Sequence, residues 1–420
     1  MTGAAEQAVT AGQPAPSWWR RPGLESRAGR LVVAGEDAET LARRHGTPLY
    51  VYDRVRFAEN ARRLQAALAG AGIPFRVRFA LKANPLPEVL EVFRGLGTPG
   101  TPESVGIDAC SPGEVVRAIE CGWLPGEISV TGTNLSERDL DVILANGVHV
   151  NLDGLSQLRR YGRRAPGTAI GLRIDPGTGA GYNAHLEYSG ARPTKFGIGL
   201  DRLDEALAIA REHDLTVDTV HFHAGSGWLA DGLDAFEGAL GRAAEAVTRL
   251  RAAGCPIVEV NVGGGLGAPA RDEERPVDLD AYAATLARHL GPFGVLVTCE
   301  PGDYLAKDAA ILLGEVVTVE TRGGVTFVGL DLGWNLDCSS FIYGYAQEIV
   351  PVTAADAALT ELVTVAGHIN EASDVFAEDY PMAPVEEGDV VAILNAGGYA
   401  QAMSSTHCLR PPAPALFLDR

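Results

Sequence analysis

The chain has 420 residues, 46% hydrophobic and 21% charged, enough to bury at least one large core and consistent with two domains. Its 54 acidic and 35 basic residues give a net charge of −19, a field that repels nucleic acid and anionic lipid, so neither is an expected partner. No apolar run is long enough to span a membrane. The six cysteines (Cys110, Cys121, Cys255, Cys299, Cys338, Cys408) show neither CxxC nor metal-ligand spacing, and with no secretory signal ahead of them they read as reduced thiols in a cytoplasm.

In chain order, the opening stretch MTGAAEQAVTAGQPAPSWWRRPG is rich in Ala, Gly, Pro and Ser and reads as a flexible or loosely packed arm. From about Gly46 to Glu300, short β-branched runs alternate with Ala-, Leu- and Arg-rich helical stretches. TPLYVYD precedes RVRFAENARRLQAALAGAG, RVRFAL precedes LPEVLEVFRGLG, and EISVTG precedes SERDLDVILANG; AIGLRIDP, TVHFHAGSG, IVEVNVGGG and GVLVTCEPG follow. About eight such units in roughly 250 residues predict a closed (β/α)8 TIM-like barrel, with an open doubly wound sheet as the alternative. After Pro301 the texture changes to strand-like runs with Gly and Asp turns, AAILLGEVVTVETRGGVTFVGLDLG, LTELVTVAGHI and DVVAILNAGG, and predicts a separate β domain.

Barrel enzymes carry their chemistry where the strands end, at the C-terminal face. Lys82 stands at such an end, before an Asn-Pro break. So does HFHAGSGW, which places His221 and His223 ahead of a Gly-Ser-Gly turn, and so does VEVNVGGGLG, where Gly263, Gly264 and Gly265 leave the backbone bare. Bare backbone lets amide N–H groups converge on a phosphate, and Ser226 adds a hydroxyl. A lysine beside such a cradle can form a Schiff base with pyridoxal 5′-phosphate; a lysine standing alone would more simply pair with a carboxylate.

These residues sit in a longer pattern. GTPLYVYD, FALKANP around Lys82, GIDACSPGEV around Asp108, TKFGI, FHAGSG, VGGGLG, EPGDYL and GGYAQAMSS occur in one order from about Arg30 to the C-terminus. In this the chain resembles the fold-type III pyridoxal-phosphate decarboxylases, most of all the diaminopimelate decarboxylase branch, with ornithine decarboxylase a more distant relative. The resemblance implies an alanine-racemase-like barrel over residues 46–300 and a C-terminal β-sandwich or β-barrel domain over 301–420. Residues 1–45, an arm and a strand, would join that second domain. It also implies a homodimer with shared active sites. By resemblance Lys82 carries the cofactor and His223 stacks on its ring. Glu300 pairs with the ring nitrogen, Ser226, Gly264, Gly265, Arg173 and Tyr399 surround the phosphate, and Asp108 supports the site. The plainer readings are a core histidine for His223, a strand-end acid for Glu300 and a salt-bridge member for Arg173.

The departures bear on the substrate. The arginine after Glu-Pro-Gly is Asp303 here, and the second arginine of the substrate site falls on Ser339. Both forks that would hold a distal carboxylate are missing, which makes meso-diaminopimelate a poor expectation. The Cys-Glu-Ser-x-Asp motif that the family contributes across the dimer reads Asn370, Glu371, Ala372, Ser373, Asp374. An amide is no acid, so Asn370 cannot reprotonate the product; Lys82, Tyr343, a bound water and His368 are the substitutes. Tyr343 otherwise binds substrate, together with Asp303, Ser339, Glu371 and Asp374, and Lys307 is the cation that could neutralise their charge. The expected activity is decarboxylation of a noncanonical amino acid or derived intermediate in specialised metabolism. Epimerisation, elimination or decarboxylative transamination is the alternative, and a non-catalytic homologue the third.

Overall fold

Strand Val105–Ala109 is buried at all five positions, as expected of a parallel strand covered on both faces, and the chain builds a barrel from such runs. The structure is a computed structural model and describes residues 14–183, 186 and 194–420. It divides into two compact units, one of residues 57–268 and 275–306, the other of residues up to Arg56 with 269–274 and 307–420.

In the first unit eight parallel strands follow in chain order: β1 Phe75–Ala80, β2 Val105–Ala109, β3 Ile128–Val130, β4 His149–Leu152, β5 Ala169–Asp175, β6 Thr216–His221, β7 Glu259–Asn261 and β8 Leu296–Cys299. Each pairs with its neighbours. β8 returns to β1 through Val297 beside Phe75, which closes the barrel. The connecting helices start where side chains accept their free amides: Ser111 takes the Glu114 N–H, and Ser136 and Asp139 cap each other reciprocally. Helix Leu233–Ala252 buries Phe236, Ala239, Leu240, Ala243, Val247 and Leu250, a stripe at helical spacing laid on the barrel wall.

The barrel interior is polar rather than purely aliphatic. Arg78 of β1 forms a two-pronged pair with Glu259 of β7 at 2.5 and 3.2 Å, and Thr298 of β8 donates to the same carboxylate at 2.8 Å. Asn151 of β4 donates to Ser129 and Thr131 of the neighbouring strand's end. A β-carbon at position 171 would collide with the Asn151 amide, so a glycine is required there.

The second unit is built on the 13-residue strand Ala310–Arg322, whose first half pairs with Val390–Ile393 and Leu49–Asp53 and whose second half pairs with Val325–Leu330. Two corrections to the sequence reading belong here. TPLYVYD, read as the first strand of the barrel series, is antiparallel to Ala310–Arg322 and parallel to Ala415–Leu418; a fully buried strand carries no periodicity to say which sheet it joins. The opening arm is packed where it is described: Trp19 is 1% exposed in a core with Leu31, Leu41, Ile311 and Val390, and the Trp18 indole donates to Glu348 at 2.9 Å. The arm's first 13 residues lie outside the described residues.

Candidate active site

At the end of β1 the chain makes one 3-10 turn, Leu81–Ala83, and Lys82 projects from it half-exposed. Its ammonium lies 3.7 Å from an Asp108 carboxylate oxygen and 3.3 Å from the Cys110 sulfur. Asp108 is the penultimate residue of β2 and is 2% exposed, with one carboxylate oxygen lacking a hydrogen-bond partner. Burial and the nearby Glu300 push its pKa up to about 8, Lys82 opposing.

The loop after β6 carries the next group. His223 accepts the Gly264 N–H on Nδ1 at 3.2 Å and reaches the Ser226 hydroxyl from Nε2 at 3.5 Å. That fixes the tautomer with its proton on Nε2. Burial, then Arg173 and Lys82, hold the ring well below the ordinary histidine pKa, so it is neutral. A β-carbon at Gly264 would run into the Glu300 carbonyl, and one at Gly265 (φ +101°) into the Gly225 carbonyl. Only glycine keeps these amides bare in a cradle this tight.

Glu300 follows β8 and is 5% exposed. One carboxylate oxygen lies 3.0 Å from His221 Nε2, and the other accepts the Asn261 amide. Asn261 in turn accepts the Gly263 N–H at 3.0 Å, tying carboxylate and glycine loop into one assembly. Burial alone would raise the Glu300 pKa, but His221, Arg78 and Asn261 together hold it down at about 2. His221 itself is lowered by burial and its Nδ1 has no partner, so it acts as a neutral N–H donor. The result is a permanent carboxylate at the barrel mouth, suited to a protonated ring nitrogen.

Other expected residues are placed as follows. Arg173, on β5, pairs with Asp153 at 3.4 Å and lies over the Phe196 ring at 4.3 Å. Asp303 opens a short helix after β8 and accepts the Tyr182 hydroxyl. The Tyr182 N–H bonds the Ser226 carbonyl at 3.0 Å, and its ring covers Gly227, so the Asp303 partner, from the loop after β5, packs on the Gly-Ser-Gly turn of the phosphate cradle.

In the second unit Ser339 is buried and donates to Asp337, which also holds Gln347. Lys307 lies fully buried with its ammonium 3.6 Å from the Tyr345 ring centre. Tyr343 meets Tyr399 edge-on at 5.8 Å and its hydroxyl points to Met403. Asn370, Glu371, Ala372 and Ser373 form an exposed loop, and Glu371 lies 3.5 Å from His407. Asp374 differs from its neighbours: buried, it accepts the N–H groups of Trp334 and Ile369 at 2.8 and 2.6 Å and so holds its own loop together. His368 is lowered by burial and bonds Asn335 at 3.0 Å.

Sequence reasoning missed Tyr182, Asn261, Cys110 and the Arg78–Glu259 pair. Only Asn261 carried a local signal, lying two residues before the glycine run.

A closed parallel barrel with a lysine at one strand end, a glycine cradle beside a neutral histidine and a buried ionised glutamate defines a pyridoxal-phosphate enzyme. The bare cradle, the Ser226 hydroxyl and the fixed Glu300 carboxylate fit that cofactor. Residues 55–307 match the family "Pyridoxal-dependent decarboxylase, pyridoxal binding domain". Over 401 residues the chain is 35% identical to diaminopimelate decarboxylase of Methanothermobacter thermautotrophicus, covering 93% of this chain and 91% of the relative. The crystal structure of diaminopimelate decarboxylase from M. jannaschii in co-complex with L-lysine superposes with a TM-score of 0.84 at 25% identity, covering 94% and 93%. The Helicobacter pylori enzyme complexed with L-lysine gives 0.80 at 26%, covering 90% and 93%. The chain belongs to the fold-type III pyridoxal-phosphate decarboxylases of the diaminopimelate and ornithine decarboxylase family, and is a pyridoxal-phosphate-dependent amino acid decarboxylase.

Proposed function

We propose that this chain decarboxylates an amino acid, or an intermediate derived from one, whose far end is not a carboxylate, so that meso-diaminopimelate is not its substrate. The observation that carries this is Asp303. Where the family pattern has an arginine, this chain has a carboxylate that accepts the Tyr182 hydroxyl beside the cradle. Ser339, at the second arginine position, has its hydroxyl committed to Asp337 and supports the same reading. Asp374 holds its own loop, its carboxylate accepting two backbone N–H groups.

The residues divide the work. Lys82 holds the cofactor, the Gly264 and Gly265 amides and Ser226 face its phosphate with Arg173 nearby, and His223 lies against its ring. Glu300 keeps a proton on the ring nitrogen. When bound, the cofactor supplies the sink for the electron pair left when CO2 departs. The chain acts as a cytoplasmic homodimer in which the loop Asn370–Ser373 completes the neighbouring copy's site. If so, mixing inactive Lys82→Ala and Glu371→Ala proteins restores up to about a quarter of the activity; a dead mixture of two intact dimers rules sharing out.

A second reading is favoured by the three relatives named above, all diaminopimelate decarboxylases: that this chain acts on the same substrate through other contacts. Purified holoenzyme incubated with lysine, ornithine, arginine and diaminopimelate, with CO2 and product mass measured, separates the two. One charge-assisted contact contributes about 1.5–3 kcal/mol, so the carboxylate-ended substrate is expected to trail by about tenfold to a hundredfold in kcat/KM. Asp303→Arg narrows that gap. A wild-type preference for diaminopimelate overturns the proposal, and a carbonyl, epimerised or eliminated product reassigns the outcome.

A further inference from the structure

We propose that the Cys110 thiol is the acid that delivers a proton to the substrate carbon after CO2 leaves. The inference rests on the decarboxylase reading above and adds a residue that it leaves unnamed.

The Lys82 nitrogen is the atom through which this lysine holds the cofactor, so a group in hydrogen-bond contact with it is also within reach of the atoms bonded there. The Cys110 sulfur is at 3.3 Å. Its placement is built. Cys110 directly follows β2, and Asp108 and Cys110, two residues apart at a strand end, project to the same side. The Cys110 N–H is held by the Glu114 carboxylate at 2.6 Å at the start of the following helix, which fixes the backbone that carries the thiol. Asp108 contributes a second observation, a carboxylate oxygen buried without a partner in the same corner.

Charge state agrees with geometry. Burial pushes the Cys110 thiol up to about 12, with Lys82 opposing, and holds Asp108 at about 8. Both therefore carry a proton at neutral pH. Of the side chains weighed above, His368 is bonded to Asn335, the Tyr343 hydroxyl points to Met403, the Asn370 amide has no acidic proton, and Lys82 serves here as the group that recharges the thiol.

The step balances without an outside reagent. The electron pair left on the substrate carbon forms a C–H bond with the thiol proton, and the S–H bond breaks to leave a thiolate. By then Lys82, displaced by the substrate amine, is an ammonium 3.3 Å away in the structure. It returns a proton to the thiolate and becomes the neutral amine that must attack to release product. Cys110 thus ends protonated and Lys82 ends nucleophilic.

Two arms test this. In single turnovers, Cys110→Ala and Cys110→Ser, each confirmed to bind cofactor by its visible band, should still release CO2. Both should form amine product at least about a hundredfold more slowly, with carbonyl product rising. The second arm needs no turnover: alkylation of Cys110 in the apoprotein at pH 9, read by peptide mass, should slow at least about tenfold in Lys82→Met, because the ammonium stabilises the thiolate. Wild-type rate and product ratio in both cysteine variants, or alkylation unchanged in Lys82→Met, overturns the proposal. Failure of every amino acid to release CO2 would instead remove the decarboxylase reading, and the alkylation arm would still report on the Cys110–Lys82 contact.

Discussion

His221→Phe removes the N–H that holds one oxygen of Glu300 while preserving most of the ring's volume. Glu300 is 5% exposed, and its partners hold it at about 2 against an ordinary 4.5, worth about 3 kcal/mol at about 1.4 kcal/mol per pH unit. His221 is the largest of the lowering influences, and one hydrogen bond to a charged group contributes about 1.5–3 kcal/mol, so about 2 kcal/mol is expected from its loss. For a unit of this size that lowers the melting temperature of the apoprotein by about 4–8 °C at pH 7. The sign with pH follows from the depressed carboxyl: the stability it contributes is present above the ordinary glutamate range and is lost as pH falls toward 2. The gap between wild type and His221→Phe should therefore be full at pH 7 and narrower at pH 3. Thermal melts of both apoproteins at the two pH values read this directly. A gap under about 1 °C at pH 7, or one equally wide at pH 3, would mean that His221 fills space and does not hold a charge.

Asp108→Asn should stabilise the apoprotein increasingly as pH rises from the ordinary aspartate range through about 8, since a buried acid with a raised pKa loses its stabilising protonated form over that window; melts at pH 5 and 9 showing no widening gap would contradict the assignment. Gly264→Ala forces a β-carbon against the Glu300 carbonyl and should weaken cofactor binding by about tenfold or more, measured by titrating apoprotein with pyridoxal 5′-phosphate; unchanged affinity would remove Gly264 from the cradle. Borohydride reduction of the holoprotein followed by peptide mapping should leave the pyridoxyl group on Lys82, and a label on another lysine would reassign the anchor.

What could be read from the sequence was whatever one short segment settles alone. Lys82 before Asn-Pro, the histidine ahead of Gly-Ser-Gly, the three glycines and Glu-Pro-Gly each combine a strand end with a backbone requirement, and both leave local marks. The contacts that give those residues their chemistry are tertiary: His221 reaches Glu300 from 79 positions away, and Tyr182 reaches Asp303 from 121. No period or motif encodes such pairings. At Asp374 the motif position suggests a substrate contact and says nothing of the two amides of its own loop that the carboxylate secures. Trp18 and Trp19 were hidden by composition, since an Ala- and Pro-rich stretch conceals the residues that anchor it.

The pairing of Leu49–Asp53 with Ala415–Leu418 has a consequence for birth on the ribosome. The first of these strands emerges roughly 360 residues before its last partner, a wait of about 20–70 seconds at ordinary elongation speeds. Residues 57–268, most of the barrel unit, are translated inside that interval. A nascent chain must therefore carry an unpaired strand led by Leu49, Tyr50, Val51 and Tyr52 while it completes another fold, and that edge is where a holding chaperone would have to act. Slowing translation after Ala306 should aggravate aggregation, whereas a stop codon before Ala415 should leave the edge open permanently.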